Sequence, residues 1–101
     1  MRAGQLRHRI RIESRSGAEW VLFAPAWAAK EQMSDQERFE QSDQLLQAQT
    51  LVRFRIRYRS DVTDQMRVIW GGRAFDIQKV DELDNKRREI GLLCLEVPYV
   101  G

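Results

Sequence analysis

One cysteine, one histidine and two prolines in 101 residues set narrow limits on this chain. With Cys94 alone, no intrachain disulfide can form, and the fold cannot depend on an oxidising compartment. A single His and a single Cys provide no metal-ligand spacing, and no base stands beside Cys94 in the sequence. Long hydrophobic runs are missing as well. The longest near-apolar stretch, Trp20–Ala29, is too short to span a bilayer and is interrupted by Pro25. The opening Met-Arg-Ala-Gly-Gln-Leu-Arg-His-Arg has no apolar segment of the kind a signal peptide carries, so synthesis and assembly are expected in the cytoplasm, with no membrane partner. Lysine is scarce: fourteen of the seventeen basic residues are arginine, whose rigid fork suits carboxylates, phosphates and aromatic faces.

Against these absences stand 43% hydrophobic residues and nine aromatics, enough for one folded domain with a modest core. Fifteen carboxylates bring the net charge to only +2, so position rather than excess gives the arginines their meaning. Val52–Arg59 reads Val-Arg-Phe-Arg-Ile-Arg-Tyr-Arg, a strict alternation with period 2. A strand with that period carries Val52, Phe54, Ile56 and Tyr58 on one face and Arg53, Arg55, Arg57 and Arg59 on the other. Near the N-terminus, Arg7, Arg9 and Arg11 alternate in the same way with His8, Ile10 and Ile12. Such stripes fit pairing with carboxylates, within the chain or between subunits, and they also fit exposure to nucleic acid. Composition alone leaves both open.

The patterning predicts strands over Leu6–Ser14, Ala26–Met33, Val52–Arg59, Met66–Trp70, Arg73–Val80 and Arg87–Val97. Arg15–Glu19 reads as a turn, and Trp20–Ala24 as a connection that Pro25 breaks. Gly71-Gly72 is a two-residue hairpin signal, since both central positions of a type I′ turn need positive φ. Ser60–Gln65 and Asp81–Lys86 read as polar connections. Ile90, Leu92, Leu93, Cys94 and Leu95 are apolar on both faces, which marks a central strand. The expected fold is mainly β: a small antiparallel barrel or sandwich of about six strands, one domain over residues 1–97 with a short tail, Pro98–Gly101. Ser34–Thr50, rich in Gln, Glu and Asp and with Ser34 and Glu37 at capping-box spacing, predicts a long, partly helical excursion between strands 2 and 3. It reads equally as a functional insertion or a solvated loop.

Candidate chemistry is sparse. His8 falls on the apolar face of the first strand and reads as a core or interface histidine. Cys94, between leucines, reads as a buried small hydrophobe. The carboxylate clusters Asp61/Asp64 and Asp81/Glu82/Asp84 fall in turns, where Asp favours local backbone hydrogen bonds. Trp20, Trp27 and Trp70 read first as core packing, with base stacking in an OB-like groove as the alternative. No catalytic group, cofactor or metal is expected.

In order and spacing, several short pieces resemble the head–tail joining proteins (head-closure, or stopper, proteins) of long-tailed phages and related prophages. They are Arg2-Ala3-Gly4-Gln5-Leu6-Arg7-His8-Arg9-Ile10, Trp27-Ala28, Glu37-Arg38-Phe39, Ile56-Arg57-Tyr58-Arg59, Met66-Arg67-Val68, Gly71-Gly72-Arg73-Ala74-Phe75-Asp76-Ile77 and Arg87-Arg88-Glu89. The resemblance implies a structural virion protein: a small β-barrel that forms a ring beneath the portal and its adaptor. That ring closes the DNA-filled head and offers the surface on which the tail docks. Its implied partners are copies of itself, the portal or adaptor, tail or tail-terminator proteins, and passing double-stranded DNA without sequence-specific contact. The stretch between Gly17 and Trp20 is short where many relatives carry a longer loop, so any contact made by that loop must be made differently here. On this reading Arg53, Arg55, Arg57 and Arg59 face a neighbouring subunit, and the excursion turns Glu37, Arg38, Phe39, Glu40 and Asp43 toward the channel or adaptor. A sequence-tolerant nucleic-acid-binding barrel, another connector or tail-tube component, and a generic adaptor domain are the competing readings.

Overall fold

The computed structural model describes residues 6–32, 51–83 and 88–99 of the chain. They form six strands: β1 (His8–Ser16), β2 (Glu19–Gln32), β3 (Leu51–Arg57), β4 (Arg67–Trp70), β5 (Arg73–Glu82) and β6 (Glu89–Val97). All neighbours run antiparallel. Because β1 pairs with β4 as well as with β2, the sheet closes on itself in the order β1-β2-β3-β6-β5-β4. Closure sets aside the sandwich alternative and leaves few free strand edges. No helix occurs among the described residues, and the expected helical excursion, Ser34–Thr50, lies outside them.

Alternation decides what fills the barrel. Ile10 and Ile12 of β1, Val52, Phe54 and Ile56 of β3, Val68 of β4, Phe75 and Ile77 of β5, and Ile90, Leu92 and Cys94 of β6 form one buried cluster. Phe54 and Phe75 meet edge to face with ring centroids 5.1 Å apart. Burying each such side chain is worth about 1.5–3 kcal/mol, and the ring pair adds about 0.5–1.5 kcal/mol. β2 contributes Ala26 and Ala28 to this interior, and Ala24 is also buried. β6 lies between β3 and β5 and is also buried on its outer side, where Leu93 and Leu95 cluster with Leu51. The central position expected from its two apolar faces is therefore what the sheet shows.

Two expectations about β2 need correction. Pro25 does not break the chain into a connection and a strand; β2 runs continuously from Glu19 to Gln32, and Pro25 stands opposite Arg11. Only Ala28–Gln32 pairs with β3, so Pro25 sits where β2 has a partner on one side, a position at which a missing N–H is tolerated. The turn before it is also tighter than Arg15–Glu19. Ser16 and Glu19 still pair, leaving Gly17-Ala18 as the loop, with Gly17 at φ 62°. Between Ile12 and Glu13 the register shifts by one residue, which places Phe23 in a bulge on β2. Gly71 and Gly72 close the β4–β5 hairpin at φ 59° and 75°, as the type I′ signal requires.

Candidate subunit interface

The arginine stripe lies on the outside of β3, and most of it is engaged within the chain. Glu31 of β2 stands 3.9 Å from Arg53 and 3.8 Å from Arg55. Arg55 also reaches buried Glu89 on β6, Nε to Oε1, at 3.4 Å. The aliphatic stem of Arg53 crosses Gly91 so closely that a Cβ there would lie 3.1 Å from its Cδ. Arg59 donates from Nε and Nη2 to the two oxygens of Asp61, each at 3.0 Å. That bond raises the Arg59 pKa and lowers that of Asp61. Arg57 is exposed and has no ion pair among the described residues. The structure thus singles out one arginine of the four that the sequence ranked equally.

A second set of arginines decorates the outside of β1 and β4. Arg67 donates from Nε to Glu13 Oε1 at 2.8 Å, with both side chains largely buried. Its guanidinium lies 4.4 Å from the Trp20 ring centroid and 5.3 Å from that of Tyr99. Arg15 stacks on Trp20 at 5.2 Å. Glu13, already held by Arg67, is 3.9 Å from Arg11, which remains exposed. Sequence reasoning missed the Arg67–Glu13 pair because its partners are 54 residues apart; only the β1–β4 closure brings them together.

Among the tryptophans, Trp70 packs against the core cluster as expected, and Trp27 requires a correction to the core-packing expectation. Trp70 is half-buried at one end of the barrel, edge-on to His8 at 5.3 Å, with Lys30 over its ring at 5.1 Å. There Arg73 donates to both carboxylate oxygens of Glu96, Nε to Oε2 at 2.7 Å, which holds the Glu96 carboxyl below its usual range. Trp27, however, is 51% exposed, because it falls on the outward side of β2. Arg9, its cross-strand partner, lies 5.2 Å from its centroid. Ala28 and Ile56 form the last β2–β3 pair toward that end, so Trp27 and Arg57 are the next residues across. The row Arg9–Trp27–Arg57 is exposed throughout, and on the same strand Leu22 is 59% exposed and Val21 40%.

Cys94 is fully buried and donates to Leu92 O at 3.4 Å, and burial pushes its thiol pKa strongly up, so it behaves as a small hydrophobe. The described residues contain no group of three or more His, Cys, Asp or Glu side chains able to hold a metal ion, and no helix long and apolar enough to cross a membrane.

The described residues thus form a small closed barrel with its arginines and Trp27 on the outer surface. The chain belongs to the phage head completion protein family, which it matches over residues 1–97. The family places it among the structural proteins of the virion, with a role in head closure and contacts to other head and tail proteins. The chain is also similar to protein SF1141 from Shigella flexneri 2a, known from a solution structure. The two superpose with a TM-score of 0.73 at 27% identity, over 95% of this chain and 96% of the other. No curated protein matches the sequence.

Proposed function

We propose that this protein forms a ring of identical subunits between the portal or adaptor and the tail, closing the packaged head and presenting the tail's docking surface. The family match over residues 1–97 carries this reading. The barrel supports it physically: ring subunits need a rigid body with distinct faces, and closure leaves the sheet few edges on which to aggregate. Double-stranded DNA passes such a ring without sequence-specific contact. A net charge of only +2 suits passage, because a strongly basic channel would hold phosphates through counterion release. The acidic side chains Glu37, Glu40 and Asp43 of the excursion face that channel or the adaptor on this reading.

Gold labelling of an epitope fused to the C-terminus, imaged on intact particles, tests the placement. Label at the head–tail junction is expected. Label distributed along the tail would make the protein a tail-tube component instead.

A further inference from the structure

The β1–β2 hairpin runs past the rest of the sheet, and near its tip both of its edges are open. β4 pairs with β1 only from Arg11 to Glu13, so residues 14–16 have no strand on that side. β3 pairs with β2 only from Ala28 to Gln32, which leaves residues 19–27 open on the other side. Among the described residues, no loop makes a backbone hydrogen bond to either edge. Pro25 lacks an N–H and Phe23 sits in the bulge, so regular pairing on the β2 edge is confined to residues 19–22. The β1 edge opens onto a cleft of about 560 Å³, with Arg15 and Trp20 on one wall and Met66, Asp76 and Gln78 on the other. The β2 edge instead carries two exposed apolar side chains, Val21 and Leu22.

We propose that the β2 edge of one subunit, residues 19–22, adds as a strand to the β1 edge of the next, residues 14–16. This rests on the ring reading and names the contact that repeats around the ring. Hydrogen-bond chemistry fixes the kind of occupant, because a row of open N–H and C=O groups is matched in sequence only by another extended backbone. The hairpin itself points to a second copy, since it carries both halves of the contact on opposite edges. Hairpins set side by side run antiparallel, β2 against the next β1, so every subunit gives one edge and receives one. With the tips level, the register inside the hairpin repeats between copies: Val21 faces Ser14 of the next subunit, and Trp20 faces its Arg15. Trp20 already stacks on its own Arg15 at 5.2 Å, and the added strand brings a second guanidinium to the ring. Leu22, on the same face as Trp20, enters the cleft of the next subunit, where Met66 offers apolar contact.

The test uses the phage that encodes the chain, with the gene deleted and complemented by two differently tagged copies, one carrying Val21→Cys and the other Ser14→Cys. Cys94 is buried and leaves the engineered thiols as the accessible pair. After mild oxidation of purified particles, a disulfide-linked dimer bearing both tags is expected, with at least tenfold less dimer from either variant alone. Infectious particles without that dimer would overturn the proposal. So would an equal yield from Val21→Cys alone, which would mean a two-fold contact between β2 edges. Independently, Val21→Lys with Leu22→Lys places on this edge the charges that guard edges in natural sheets. That pair is expected to lower infectious titre at least a hundredfold while the purified variant keeps the β-sheet circular dichroism of the parent. Full titre from the lysine pair overturns the proposal whatever the cysteine chains give. In each of these cases the ring reading survives if the deletion itself abolishes infectivity. A deletion without effect removes the ring reading directly.

Discussion

Arg67 illustrates how much one side chain can hold together in a protein of this size. It satisfies Glu13 with a 2.8 Å hydrogen bond and lies against the faces of Trp20 and Tyr99. Removing one partner of a mostly buried pair leaves the other charged and desolvated. Arg67→Ala is accordingly expected to destabilise the fold by about 2–4 kcal/mol in urea unfolding, whereas Arg9→Ala, on the exposed row, stays within about 0.5 kcal/mol. Acid sensitivity is also written in single residues. Glu96, bonded by Arg73, and Asp61, bonded by Arg59, have carboxyl pKa values lowered by those bonds. A carboxylate with a depressed folded-state pKa contributes stability above its unfolded value and loses it as pH falls through the folded one. The thermal midpoint is therefore expected to hold from neutrality to about pH 5 and to fall below about pH 4, where unfolded carboxylates protonate. In Arg73→Gln that decline is expected to be shallower, because Glu96 has lost its partner.

At the scale of elements, the hairpins carry the register. Gly72 at φ 75° occupies a conformation that costs a residue with a Cβ about 1–2 kcal/mol, although no atom crowds the site. Gly72→Ala is expected to lower stability by that amount in urea unfolding, with no change in the slope of the transition. The strands were legible where one face is buried: the Val52–Arg59 alternation gave β3 its inner residues correctly, because period 2 and burial coincide there. β2 was not legible. Its Pro25 normally argues against a strand, and the exception depends on whether a neighbour lies on that side, which a local window does not contain. Trp27 was misread for the same reason, since Trp-Ala-Ala-Lys-Glu has no clear alternation to say which way the indole points. The outer surface resisted reading most of all. Which arginines find acids is decided by Glu31 and Glu89 arriving from other strands, and that left Arg57 exposed where the stripe made it one of four equals.

For the molecule as a whole, a closed six-stranded barrel encloses one apolar core and carries its arginines on the outside, together with the exposed apolar side chains Trp27, Leu22 and Val21. A net charge of only +2 suits a repeating subunit, since each copy must offer both halves of a head-to-tail contact. Membership of the head completion family supplies the context in which such a subunit acts, at the closure of a filled head. The most direct measurement of that role is electron microscopy of particles made by the encoding phage or prophage after deletion of this gene. The account predicts free tails alongside heads that have packaged DNA and lost it. Intact, infectious particles in normal number would contradict it.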